Sequence, residues 1–347
     1  MEDASNEGGR RRAAPFGPLR ARVARYEALL WWLHSAYVLA LGAGIMWLGA
    51  RNYSWLRYSA VYLLAIWLLS FVLVNVVQHR AGAWWGRVRF LVNYVNKNLY
   101  QQLLFFILPI YAGSTTWSSR NVLFLIVLTV SAVLSTLDVV YDRMLSARRV
   151  LAAWFFAFNA FAVVSVALPV TFGISAHHSA RAGALAAVAG FMTLAWRLWR
   201  LGRRLAWTGV AAGALLVFLA AEFARPLVPP APLRLTSTVF GLGLDRTSLQ
   251  VRQPFTSLPR EGAGRVYAVT ALRAPLGLRD RVELRWYRDS TLASVSAVHT
   301  VSGGRRAGFR LWSALDLARV AGARVLRLDV VTEGGQLVGR AELRAAR

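Results

Sequence analysis

Three arginines and two aromatic residues lie close together near the end of this chain, in the stretch SGGRRAGFRLW at residues 302–312. Guanidinium groups form paired hydrogen bonds to phosphate and carboxylate, and they also stack on aromatic rings. If the stretch forms a strand, Arg306, Arg310 and Trp312 share one face. Arg305, Arg306, Arg310 and Trp312 are therefore candidates for an anion-binding surface. The alternative is a solvated stack, worth roughly 0.5–1 kcal/mol when exposed.

Polar side chains inside long apolar segments form a second set of candidates, because such side chains are costly in lipid and often functional. Asp138 and Glu222 lie near the ends of their segments, and Glu222 is one turn from Arg225. Asn75 and Asn159 lie deeper. A transporter would need carboxylates near the midplane of the membrane and paired internal repeats, and neither is visible in the sequence. These polar residues are therefore expected to form structural pairs with neighbouring side chains. A transporter or channel remains the alternative function.

The chain offers little that could perform catalysis or hold a metal ion. It contains five histidines and no cysteine, which excludes disulfides and thiolate sites. The adjacent His177 and His178 lack the spacing of two ligands on one helical face, and no nucleophile elbow or phosphate-binding loop is present. We therefore expect no enzymatic activity, no metal and no cofactor.

The composition indicates a membrane protein. Of the 347 residues, 56% are apolar and only 16% are charged, which lies outside the usual range of soluble domains. Seven apolar segments are candidates for spanning helices, the third being the least regular. They are residues 28–49, 58–77, 99–117, 121–140, 150–172, 180–198 and 205–223. Arg and Lys concentrate in alternate loops, which predicts a cytoplasmic N-terminus and an extracytoplasmic C-terminus.

Residues 84–97, between the second and third apolar segments, have one apolar and one polar helical face. Two interpretations fit this pattern. One is a helix that lies in the membrane interface, and the other is an extension of the third apolar segment.

The stretch after residue 233 has the pattern of β-structure. RVELRWYR alternates, with Val282, Leu284 and Trp286 on one face, and VLRLDVVTEGGQLVGRAEL predicts a hairpin with a glycine turn. Six or seven short strands predict an immunoglobulin-like sandwich. The predicted fold is thus a seven-helix transmembrane bundle with a C-terminal all-β domain. Its parts are a disordered basic tail at 1–26, the helical domain at 27–224, a proline-rich spacer at 225–233 that lifts the domain off the membrane, and the sandwich at 234–347.

Several motifs resemble a family of bacterial inner-membrane proteins that is described only as domains of unknown function. They are FTSLPREGAGRVYAVTALRAPLGLRDRVELRWYRD, GGRRAGFRLWS and VVTEGGQLVGR in the β half, and LLFFILPIYAGSTTWSS and STLDVVY in the helical half. The chain departs from the family at two places. Relatives have a histidine two residues before the tryptophan, where this chain has Leu284 before Arg285 and Trp286. The chain also lacks a lysine shortly after Trp312. The resemblance implies an inner-membrane anchor with a periplasmic β-domain, and it implies no reaction.

The sequence therefore predicts a non-enzymatic binding or scaffolding protein of the bacterial inner membrane. Its expected partners are the lipid bilayer and an anionic envelope component or a partner protein. The β half carries 19 arginines against 9 acidic residues, which favours an anionic partner. Nucleic acid is not expected on the periplasmic side, and the sequence does not define an oligomeric state.

Overall fold

The computed structural model describes residues 82–136, 149–199, 204–258, 264–320 and 322–345, with a few single positions between 33 and 65. In these ranges a helical part precedes a β part. The helices are α1 Ala83–Ser114, α2 Val122–Thr136, α3 Arg149–Phe172, α4 Ala176–Trp199 and α5 Arg204–Phe223. The strands are β1 Arg234–Asp245, β2 Gln250–Phe255, β3 Arg265–Arg273, β4 Arg279–Arg288, β5 Thr291–Val295, β6 His299–Ser302, β7 Phe309–Asp316, β8 Val325–Thr332 and β9 Leu337–Arg344.

The predicted seven-span bundle is wrong. Among the described residues, Ala153–Phe172 in α3 is the one helix long and apolar enough to cross a bilayer, and 67% of its apolar window is buried in the protein. The apolar helices in α1, α2 and α5 are shorter. The first two predicted spans fall largely outside the described residues.

Residues 84–97 belong to one continuous helix with the apolar segment that follows. α1 has 32 residues, and Pro109 lies inside it without ending it, although proline removes one backbone hydrogen bond. The Tyr111 hydroxyl donates to the Ala162 carbonyl oxygen of α3 at 3.0 Å, and the Thr115 hydroxyl donates to the Tyr111 carbonyl oxygen at 2.7 Å. The second interpretation of this stretch, an extension of the apolar segment, is therefore correct.

The core of the helical part lies where α1, α2 and α3 meet. Phe124 is central to it, because its ring lies 4.9 Å from that of Tyr111 and 5.4 Å from that of Phe158. α3 and α4 pack closely because α4 has glycine at the contact. A Cβ atom on Gly190 would lie 2.7 Å from the ring of Phe156, closer than the two helices could tolerate.

Large apolar side chains also cover the outside of the helical part. On α2 the exposed side chains are Leu123, Ile126, Val127 and Val130, and on α5 they are Leu215, Leu216, Leu219 and Phe223. The α2 set follows the spacing of a single helical face. Water-soluble monomers rarely expose contiguous apolar patches of this kind. These two faces, which we call the apolar surface, are thus suited to an apolar environment.

The proline-rich segment 225–233 is a buried connector, not a spacer that lifts the β part away. It begins with a short 3-10 turn at Arg225–Leu227. Val228 then packs in the helical core, and Leu233 packs in the core of the β part. The Gln336 side-chain amide donates to the Val228 carbonyl oxygen at 3.2 Å. The β part is therefore docked directly on the helices.

The β part consists of two sheets around one core. One sheet has the order β2-β1-β3-β7, and the other has the order β5-β4-β8-β9 with β6 also paired to β4. Val282, Leu284 and Trp286 of β4 are fully buried, as their alternation predicts. The Trp286 indole N–H donates to the Ser313 hydroxyl of the opposite sheet at 3.0 Å. The structure therefore establishes a β-sheet region, whereas the immunoglobulin likeness is not confirmed.

Candidate functional site

The predicted arginine stretch lies at the start of β7 and in the turn before it. Arg310 is exposed and Trp312 is half-buried on the outer face of their sheet, whereas Leu311 between them is buried. This alternation follows from the two-residue period of a strand. Arg305 and Arg306 precede the strand and are also exposed, so Arg306 does not share the face of the strand that carries Arg310.

The hairpin between β1 and β2 covers part of this face. The Arg246 guanidinium lies over the Trp312 ring, 5.3 Å from its centroid, and Arg310 Nη1 donates to the Ser248 carbonyl oxygen at 3.2 Å. Gly241 permits the approach of β2, because a Cβ atom there would collide with the backbone oxygens of Arg252 and Gln253. Trp312 thus stacks on an arginine that the sequence analysis did not single out.

Asp245 holds the tip of this hairpin in place. Its carboxylate accepts hydrogen bonds from the Thr247 backbone N–H at 2.9 Å and from the Ser248 hydroxyl at 3.0 Å. These hydrogen bonds lower the pKa of Asp245 below its ordinary value, because they stabilise the charged form. The hairpin therefore presents Ser248 to Arg310 in a fixed turn.

We call Arg246, Arg305, Arg306 and Arg310 the arginine surface. In the described parts of the chain, no carboxylate forms an ion pair with any of them, although Arg265 on the same sheet pairs with Asp316 at 2.8 Å. The Arg305 guanidinium lies 4.9 Å from the centroid of the Phe309 ring. Arginines that stack on rings keep their hydrogen-bond donors free at the edge. Arg246 and Arg305 therefore keep donors at their edges, whereas Arg310 already donates to Ser248.

The polar residues predicted within the apolar segments do not come together. The Asn159 side-chain amide donates to the Phe155 carbonyl oxygen one turn earlier, at 2.9 Å. Glu222 forms an ion pair with Arg225. Asp138 and Asn75 lie outside the described residues. Asn159 and Glu222 thus make local contacts within or just beyond their own helices.

A buried carboxylate that the sequence analysis missed joins the two parts. Asp280 at the start of β4 is only 3% exposed. Its Oδ2 accepts a hydrogen bond from the Ala176 N–H at the start of α4, and its Oδ1 accepts one from the Arg281 N–H, both at 2.8 Å. Burial raises the pKa of Asp280, although both N–H groups oppose the shift. The sequence does indicate that Asp280 is buried, because the alternation of β4 places Asp280 on the same inward face as Val282.

His177 of α4 forms the second part of this junction. Arg225 Nη1 lies 3.2 Å from His177 Nδ1, and because arginine can only donate, Nδ1 must be an unprotonated acceptor. Burial and the nearby charges of Arg181 and Arg225 lower the pKa of His177. The ring lies against Gly334, where a Cβ atom would be 2.8 Å from Nδ1. Among the described residues, no group of three His, Cys, Asp or Glu could hold a metal ion.

Further polar contacts extend the junction between the helices and the sheets. Arg340 Nη1 donates to the Ser118 carbonyl oxygen at 3.1 Å, and the Asn121 side-chain amide lies 3.4 Å from the Leu337 carbonyl oxygen. Arg340 also forms two hydrogen bonds with Asp329, which fix its direction. The β part is therefore attached to the loop before α2 as well as to the start of α4.

Comparison with known proteins establishes the family. The model of a family of unknown function, DUF5924, matches residues 17–263. The chain belongs to the DUF5924 family. Neither the curated proteins nor the solved structures include a match. The family match covers the motifs in the helical half, and it ends before β3, so the likeness of the later β motifs remains a resemblance. No enzymatic activity or specific role follows from membership of DUF5924.

Proposed function

We propose that this DUF5924 protein is a non-enzymatic, membrane-held binding protein whose β part presents the arginine surface to an anionic partner. The observation that carries the proposal is the arginine surface, where four guanidinium groups lack an acidic partner among the described residues. Arginine suits phosphate and carboxylate because its donors match their geometry. The bacterial inner membrane, with the β part in the periplasm, is the proposed location.

The apolar surface supports attachment to a bilayer. Ile126 is 52% exposed and Leu216 is 55% exposed, although both belong to helices that also contribute to a core. Burying apolar area in hydrocarbon contributes about 25 cal/mol per Å². A protein with this surface gains stability in lipid and is prone to associate in water.

The position of Arg305 and Arg306 favours a phosphate-bearing lipid headgroup as the anionic partner. The Gly304 N–H, beside Arg305, donates to the Ala274 carbonyl oxygen at 3.0 Å. The loop that follows Ala274 touches the end of α3, where Gly173 meets the Gly277 backbone. The two arginines thus lie at the end of the β part that faces the helices. Each arginine at an anionic membrane surface contributes about 1 kcal/mol.

The test places the full chain in nanodiscs that contain equal amounts of phosphatidylglycerol and phosphatidylcholine, and measures retained lipid by native mass spectrometry. The double variant Arg306→Gln/Arg310→Gln removes two charges from the arginine surface. The loss of about 2 kcal/mol predicts roughly 30-fold weaker retention of phosphatidylglycerol. Arg288→Gln/Arg324→Gln is the matched control, since both arginines are exposed and neither lies on the sheet that carries Arg310.

A second probe, poly-glutamate, stands for an acidic protein partner. Binding of poly-glutamate that the double variant loses, without selective lipid retention, would assign the surface to a protein. If neither probe distinguishes the double variant from its control, the arginine surface is only a solvated stack and the proposal is wrong. In the described residues no observation favours the transporter or channel alternative, because Asn159 and Glu222 are engaged locally.

A further inference from the structure

A cavity of about 170 Å³ lies between α2, α3, α4, α5 and the connector. Its lining consists of apolar residues alone. Four aromatic rings, among them Trp154 and Phe161, form one side, and five alanines and two valines supply the rest. The cavity exists because α5 packs mainly against α4 and little against α3, and small side chains such as Ala221 and Ala224 line the space between α5 and α3.

The lining of the cavity suits an apolar ligand. The lining residues extend along α3 from Trp154 to Phe161, and from Val217 on α5 to Ala224 directly after it. At 1.5 Å per residue, each of these stretches is about 10 Å long. No lining side chain carries a polar group apart from the Trp154 indole, so the cavity offers water few partners. Apolar cavities of comparable size stay dry and bind hydrocarbons.

The opening of the cavity lies on the apolar surface. Ala220 is the exposed lining residue on α5, and the exposed side chains of Leu216, Leu219 and Phe223 flank it on the same helix. A hydrocarbon chain that enters there passes from one apolar environment to another, without crossing a polar rim. This continuity favours a chain from the surrounding membrane over a water-soluble ligand.

We propose that the cavity binds the hydrocarbon chain of a lipid, which enters beside Ala220 and lies between α3 and α5. The proposal rests on the proposed attachment to a membrane. It goes beyond the arginine surface, because the cavity recognises the apolar chain and not the headgroup. The aromatic wall at Trp154 and Phe161 supplies the contact area, and the alanines supply the space.

Photolabelling of the full chain tests the proposal. The protein is reconstituted in phosphatidylcholine vesicles that contain a phospholipid with a diazirine at the end of one acyl chain, and labelled residues are located by mass spectrometry. Label is expected on buried residues such as Ala157 and Phe161, as well as on the exposed α2 face. Ala221→Phe fills the cavity, and we expect it to lower labelling of the α3 residues at least about tenfold, equivalent to about 1.4 kcal/mol.

Two further variants keep the test interpretable. Ala220→Phe narrows the exposed opening, where a larger side chain is tolerated, and should lower the same label even if Ala221→Phe fails to fold. Ala212→Phe is the matched control, because Ala212 is exposed on α5 and does not line the cavity. It should leave the labelling of α3 unchanged.

The pattern of label separates this proposal from the one on which it rests. Label on the α2 face with none on the cavity residues would overturn the lipid site and leave membrane attachment intact, whereas the absence of label on both would overturn both. A diazirine-bearing free fatty acid forms a second arm. Labelling by the phospholipid identifies bilayer lipid as the source, and labelling by the fatty acid alone identifies a released chain.

Discussion

Replacing Asp280 with alanine removes the carboxylate by which the β part caps α4. The Ala176 and Arg281 N–H groups, each bonded to it at 2.8 Å, both lose their acceptor. A buried donor left without a partner costs about 1–3 kcal/mol, and loss of a helix N-cap costs about 0.5–2 kcal/mol. The two costs are not additive, because both include the lost hydrogen bond of the Ala176 N–H. Part of the cost is also offset, because the variant no longer has to bury a carboxylate. We expect a net loss of about 2 kcal/mol at the start of α4.

Hydrogen–deuterium exchange of the full chain measures this loss locally. A loss of 2 kcal/mol increases the opening constant about 30-fold, so the amides from Ala176 to Ser179 should exchange about 30 times faster in Asp280→Ala. Asp316→Ala is the matched control, since it removes a carboxylate from an exposed ion pair with Arg265, where the expected cost is below about 1 kcal/mol. Unchanged exchange at Ala176 in Asp280→Ala would refute the assignment of Asp280 as the cap.

The pH dependence of the same residue provides an independent check. The folded pKa of Asp280 is raised, so the folded state holds its proton more tightly than the unfolded state. Asp280 therefore lowers the stability of the fold progressively as the pH rises from 3.8, the ordinary pKa of an aspartate, to the raised folded pKa. Above the folded pKa this loss of stability stays constant. The neutral variant Asp280→Asn should lose this dependence in thermal unfolding between these limits. Equal pH profiles for both proteins would contradict the raised pKa.

The remaining predictions concern the junction and the core of the β part. Gly334→Ala should destabilise the fold by about 1–3 kcal/mol in chemical denaturation, because its Cβ atom would lie 2.8 Å from His177 Nδ1, whereas Gly86→Ala, with open space around it, should be neutral or stabilising. Ser313→Ala should cost about 1–3 kcal/mol by leaving the Trp286 indole N–H without its acceptor, and unchanged stability would show that this bond contributes little. The folded pKa of His177 is lowered, so the stability of the fold should fall as the pH drops from about 6.5 toward that lowered pKa. Thermal unfolding of His177→Phe should not show this fall. If His177→Phe retains the fall, another group is responsible for it.

The sequence predicts the elements of the chain better than it predicts their environment. Each of α1 to α5 overlaps a predicted apolar segment, because long apolar runs form helices both in membranes and in protein cores. The same ambiguity explains the error in the number of spans. Apolar composition does not distinguish the half-buried α2 from a spanning helix, because the same apolar residues suit both environments.

In the β part, alternation predicts β4 and its buried face, but it misses features set by tertiary contacts. β2 was not predicted, because Gln250–Phe255 lacks alternation and contains Pro254. Two short strands, β5 and β6, lie on opposite sides of a break at residues 296–298. The contact of Arg246 with Trp312 depends on the folding of the hairpin over its sheet, which no local pattern specifies.

The junction was inaccessible to sequence reasoning for a similar reason. The four prolines of the connector predict an extended spacer, yet Val228 and Leu233 find apolar cores on both sides and bury the segment. Asp280 and His177 are 103 positions apart in the sequence, and only the docking of the two parts brings them to the same interface.

Both proposals rest on the claim that the exposed face of α2 lies against lipid. A spin label on that face tests this claim most directly. The chain has no cysteine, so Ile126→Cys introduces a single site for a nitroxide spin label in the full chain in vesicles. Thr247→Cys, at the exposed hairpin tip, is the control. The account predicts that the label at 126 is relaxed by oxygen and shielded from a water-soluble nickel complex, with the reverse at 247. Strong relaxation by nickel at 126 would place the apolar surface in water and contradict the account.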